Sequence, residues 1–124
     1  STSRGLGDVY KRQVPDEAAQ VLAQLTKHEH VRGCVALTAA DQRVIWSGGV
    51  TFASEAKLAQ VVHFVRDTLV VVQRHMDILE PDDDLGLMRI RTGKYELLIT
   101  PSTYTMLLTQ GKSYLLVVMQ DPSL

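Results

Sequence analysis

Six apolar residues, Leu58, Val62, Val65, Leu69, Val72 and Met76, succeed one another at steps of four, three, four, three and four. Only an α-helix brings positions so spaced onto one side, and this seam runs for about five turns. Ser54 precedes it with a side chain suited to capping the first orphan N–H groups. Pro81 sets its far limit, because proline cannot continue a helix. Val61, Val70 and Val71 are expected to widen the seam. Valines at 70, 71 and 72 are poor helix formers, yet the seam passes through them without a phase break. A long helix with one apolar side needs a second layer to cover that side.

The rest of the chain supplies a sheet. Cys34–Leu37 is an unbroken apolar run, and Tyr114–Met119 has no polar face at all. Such runs fit strands covered on both faces, hence central ones. Residues 85–92 alternate instead, with Met88 and Ile90 on one side and Arg89 and Arg91 on the other. One charged face suits a strand at or near a sheet edge. Asp41–Gln42 reads as a turn before a strand over 43–47, which Gly48 and Gly49 stop. Thr92–Gly93–Lys94 reads as a hairpin turn into a strand over 95–100. An earlier helix starts near Pro15–Asp16, with acids in its first turn and a stripe at Ala18, Val21, Leu22 and Leu25. The expected order is helix, strand, strand, helix, strand, strand, strand: an α/β sandwich on a five-stranded, mostly antiparallel sheet. Residues 14–124 form that domain. Residues 1–13 lack apolar periodicity and read as a disordered leader. Within it, the run from Arg4 to Gln13 resembles translated adapter sequence.

Charge and composition narrow the function. Thirteen basic residues stand against fourteen acidic ones, so no basic surface points to nucleic acid. No apolar run approaches the ~20 residues that span a bilayer. Cys34 is the only cysteine and has no intrachain partner, which fits a reducing compartment.

Candidate chemistry is sparse. His28 and His30 would need two further ligands to hold zinc, and the nearest, Cys34, falls in an apolar strand; exposed histidines at a helix end are the expectation, and His75 reads the same way. Cys34 itself reads as core. Glu80, Asp82, Asp83 and Asp84 lack the alternate spacing and central glycine of a calcium loop, and read as a solvated link. Neither a phosphate-binding glycine loop nor a nucleophile elbow is present. No catalytic residue, metal or cofactor is expected.

Leu79–Leu85, Met88–Arg91, Lys94, Glu96–Pro101 and Tyr114–Pro122 together resemble the roadblock family of dynein light chains. The likeness lies in an acidic-proline link, an Arg-hydrophobic-Arg strand and a closing Gln-Asp-Pro. Val31–Arg32–Gly33 is similar to the family's entry to its first strand. The resemblance spans about residues 16–122 and is specific over 79–122. It implies a sheet order of 2-1-5-4-3 and a dimer in which the edge strand and long helix meet their counterparts, joining two sheets into ten strands. Val61, Thr68 and Val72 on the helix, with Leu87, Arg89 and Arg91 on the edge strand, are then the expected dimer residues. It also implies a non-catalytic light chain, as a homodimer or with another roadblock light chain. That chain would bind a dynein intermediate chain in the cytoplasm, on the cytoskeleton or in a ciliary axoneme. Related roadblock-type dimers act as platforms or regulators of small GTPases, which is the alternative. A small-molecule sensor or enzyme has no convergent polar constellation behind it. The sequence departs from the family at the Ala40–Asp41–Gln42 turn, which lacks a glycine, and by extra residues between Pro101 and Tyr114.

Overall fold

A computed structural model of the chain describes residues 16–100 and 114–122. The expected leader at 1–13, Pro15, and the extra residues between Pro101 and Tyr114 lie outside that range. The elements are α1 (Asp16–Thr26), β1 (Val31–Thr38), β2 (Val44–Gly48), a 3-10 turn (Thr51–Ala53), α2 (Glu55–Leu79), β3 (Met88–Arg91), β4 (Glu96–Thr100) and β5 (Tyr114–Gln120). They follow the expected order, and the sheet order is β2-β1-β5-β4-β3 with every pairing antiparallel.

Side-chain alternation sorts the sheet into two cores. On one face Val35, Leu37, Leu97, Ile99, Leu115, Val117 and Met119 meet Val61, Val62, Val65 and Leu69 of α2. On the other, Cys34, Ala36, Trp46, Leu116 and Val118 gather with Leu22 of α1. Each fully buried aliphatic side chain contributes roughly 1.5–3 kcal/mol, so the unbroken runs in β1 and β5 carry much of the stability. Both runs fall on inner strands, as their composition demands.

Local signals explain the element ends. Ser54 caps α2, its Oγ accepting from the Lys57 N–H at 3.2 Å, an arrangement worth ~1 kcal/mol. The helix gives way at Glu80, one residue before Pro81. The turn between β1 and β2 manages without glycine by putting Gln42 at φ 51°. Arg66 of α2 secures it, donating from Nε and Nη2 to the Gln42 carbonyl at 3.0 and 2.6 Å.

Three expectations need correction. Val21 is exposed, and Leu22, with Leu25 beside it, carries the α1 contact, since neighbours on a helix diverge by about 100°; the side chain of Ala18 lies outside the described residues. Val70 and Val71 are exposed for the same reason and do not widen the buried seam. β3 covers only 88–91 rather than 85–92. The residues before it form an exposed link from which Leu85 alone folds back against the core.

Candidate interaction surface

The flanks of α2 differ in what they meet. Phe64 and Arg66 diverge from the buried Val65 by about 100° in opposite directions. Arg66 reaches the β1–β2 turn, so the Phe64 flank is turned toward the β3 side of the sheet. Along that flank run Phe64, Thr68, Val71, His75 and Ile78, at steps of four, three, four and three. Phe64 is 43% exposed, Val71 47% and Ile78 72%; Thr68 is half-buried. α2 therefore carries two adjacent seams, one sealed against the sheet and one open.

β3 is the outer strand on the same side, and among the described residues no strand lies beyond it. Thr92 N–H donates to the Tyr95 carbonyl at 2.8 Å, which sets the hydrogen-bonding phase of the hairpin. By antiparallel alternation, Ile90 bonds toward Leu97, while Arg89 and Arg91 turn their backbone groups away from β4. Their side chains converge on Glu96, which is 0% exposed. Arg89 Nη2 donates to its Oε1 and Oε2 at 3.0 and 2.8 Å. Arg91 Nε lies 3.6 Å from Oε1, and Gln120 Nε2 donates to Oε2 at 3.1 Å. In register, Arg91, Glu96 and Gln120 form one row across β3, β4 and β5.

The residues expected at a dimer contact are thus distributed unevenly. Thr68 lies on the open flank. Val72 is half-buried at the margin of the sealed seam. Val61, 7% exposed, packs within the chain's own core. Leu87 is exposed, just ahead of β3. Arg89 and Arg91 meet on Glu96. Phe64, Val71 and Ile78 are absent from the contacts expected from sequence. Their signal is nonetheless there, because the same 3.5-residue spacing recurs one position out of phase with the buried seam.

A second ionic cluster gathers at Asp121. His30 Nδ1 stands 3.7 Å from Asp121 Oδ2 and Arg32 Nε donates to Oδ1 at 2.5 Å, tying the start of β1 to the end of β5. That hydrogen bond from Arg32 holds the Asp121 carboxyl below its usual range. Burial pushes the Cys34 thiol up, against a weaker opposing hydrogen bond with Thr26. Among the described residues no three His, Cys, Asp or Glu side chains converge to hold a metal, and no helix is long and apolar enough to cross a membrane.

A long helix over a 2-1-5-4-3 antiparallel sheet, with one short helix behind, has counterparts among solved structures. A Roadblock/LC7 domain from Streptomyces avermitilis matches with a TM-score of 0.56 at 15% identity, over 82% of this chain and 76% of that one. The fold is that of the roadblock/LC7 domain. The gliding protein MglB from Thermus thermophilus matches with a TM-score of 0.61 at 15% identity, over 86% of this chain and 72% of the other. MglB in a tetrameric arrangement matches with 0.60 at 17%, over 93% and 74%. No protein-family model matches the chain, and no curated protein matches it in sequence. At these identities the likeness to the roadblock/LC7 structures is one of fold.

Proposed function

We propose that the protein is a non-catalytic, dimerising roadblock-type platform that binds or regulates a small GTPase. The observation that carries the dimer is the open seam of α2 lying toward the outer strand β3. An apolar helix flank and a strand edge on one side of the molecule are two surfaces that a second roadblock domain covers at once. A homodimer is the simplest form, and a related light chain could take the partner's place. MglB, one of the structures it is similar to, bears the name of a gliding protein and is also found in a tetrameric arrangement. The MglB structures carry the name of a gliding protein rather than of a dynein light chain, which moves the weight from the dynein reading to the GTPase one.

The second reading is a dynein light chain that binds an intermediate chain. It is favoured by the run from Leu79 to Pro122, whose motifs resemble that family in order and spacing. In either role a symmetric dimer holds two partner segments together and raises their effective concentration.

An affinity capture of the tagged protein from its own cell extract, read by mass spectrometry with GDP or a non-hydrolysable GTP analogue added, separates the two. Recovery of a small GTPase that depends on the nucleotide supports the platform. Recovery of dynein intermediate and heavy chains with no GTPase overturns it in favour of the light chain.

A further inference from the structure

We propose that Glu96 is the positioning residue of the β3 edge, fixing the register in which that strand is presented to a second copy of the chain. This rests on the dimer reading above. Four residues make up β3, Met-Arg-Ile-Arg. Their alternation puts Met88 and Ile90 toward α2 and excludes a one-residue slip, which would reverse every side chain. It does not exclude a slip of two. Moving the strand by two exchanges Met for Ile and Arg for Arg, leaving the pattern of apolar and charged faces intact.

Glu96 breaks this near-degeneracy. Only the observed register sets Arg91 directly opposite Glu96 while Arg89 reaches the same carboxylate from the neighbouring row with two hydrogen bonds. Gln120 holds that carboxylate from the β5 side, so the edge is referred to the centre of the sheet. A buried carboxylate is a costly way to gain stability, because desolvation offsets most of the attraction, whereas specifying register is the best-attested use of such groups. The turn bond between Thr92 and Tyr95 constrains the hairpin tip, and Glu96 constrains the strand behind it.

The role matters for association because Arg89 and Arg91 are the residues whose backbone groups turn away from β4. A partner strand pairing there reads their register, so a shift or loosening of β3 moves the groups it must meet.

The test compares the wild-type protein, Glu96→Gln, and Glu96→Gln combined with Arg89→Cys and Leu98→Cys. Arg89 and Leu98 face each other in register at a pair without mutual backbone hydrogen bonds, whose Cα spacing suits a disulfide. The triple variant thus replaces the ionic link by a covalent one. Amide hydrogen exchange and sedimentation equilibrium are measured on each. The expected result for Glu96→Gln is exchange at Ile90 and Thr92 faster by about tenfold, with the α1–β1–β2 amides unchanged. Its dimer dissociation constant should rise by at least about tenfold, and oxidation of the triple variant should restore the dimer. Unchanged dissociation constants in Glu96→Gln overturn the proposal, as does an oxidised triple variant that stays as weak as the single one. A wild-type protein that is monomeric throughout overturns the dimer reading itself and is distinguished by the first measurement.

Discussion

Phe52 lies across Gly33 so closely that a Cβ at position 33 would stand 2.5 Å from its Cδ2 and 2.8 Å from its Cε2. The 3-10 turn between β2 and α2 crosses the start of β1 at this point, and the bare backbone of Gly33 makes room for the ring. Gly49, at φ 99° and just ahead of that turn, packs against the backbone of Gly33. Gly33→Ala forces the ring or the strand to move, and the expected loss is about 1–3 kcal/mol. Denaturant unfolding monitored at Trp46 measures it. Gly86→Ala meets nothing within 4 Å and should leave the midpoint unchanged.

The open flank of α2 makes a sharper test of the dimer than the arginines of β3. Phe64→Glu and Val71→Glu put a charge where a second copy is expected. Each should weaken association by more than about tenfold, with the thermal transition still cooperative. Val70→Glu, on the solvent side and 62% exposed, should leave the mass in sedimentation equilibrium at the wild-type value. Arg89→Glu is a poorer probe, because it places a second carboxylate against the buried Glu96 and perturbs the fold as well as the edge.

Arg32 and Asp121 give the fold a measurable acid dependence. The Asp121 carboxyl is held below its ordinary value of 3.8, first by the hydrogen bond from Arg32. A carboxyl with a lower pKa folded than unfolded stabilises the fold fully above its unfolded value, and that contribution fades as pH falls through the folded one. Asp121→Asn should therefore flatten the loss of stability from about pH 4 downward. In Arg32→Leu, the Asp121 carboxyl should titrate closer to its ordinary value in a carbon-detected NMR titration.

Cys34 is buried at the centre of β1, and burial raises its thiol pKa. Only the thiolate reacts readily, so a disulfide reagent at mildly alkaline pH should label the native protein no faster than the chain opens. Addition of denaturant should bring labelling to the rate of a small thiol. Cys34→Ser, which buries a hydroxyl among apolar side chains, should cost ~1–3 kcal/mol, read from the unfolding midpoint.

Much of the architecture was legible because periodicity reports local environment. The seam from Leu58 to Met76 implies a one-sided helix, and the unbroken runs at Cys34–Leu37 and Tyr114–Met119 imply strands with both faces covered. Ser54 and Pro81 mark the ends of α2 by chemistry confined to one turn. The errors at Val21, Val70 and Val71 share a cause. Apolar character does not tell which of two adjacent helical positions turns inward, and a helix moves about 100° between them.

By itself, then, the sequence determined the elements, their order, the layering of helix on sheet and the alternation of β3, since each follows from spacings within a single segment. The tertiary structure decided the rest. That Phe64, Val71 and Ile78 form an open seam depends on where the sheet ends beneath α2. That Arg89, Arg91 and Gln120 converge on Glu96 depends on strand register, which unites residues from three strands. Pattern along a chain reports which side faces apolar surroundings; which residues meet across strands is set only when the strands pair.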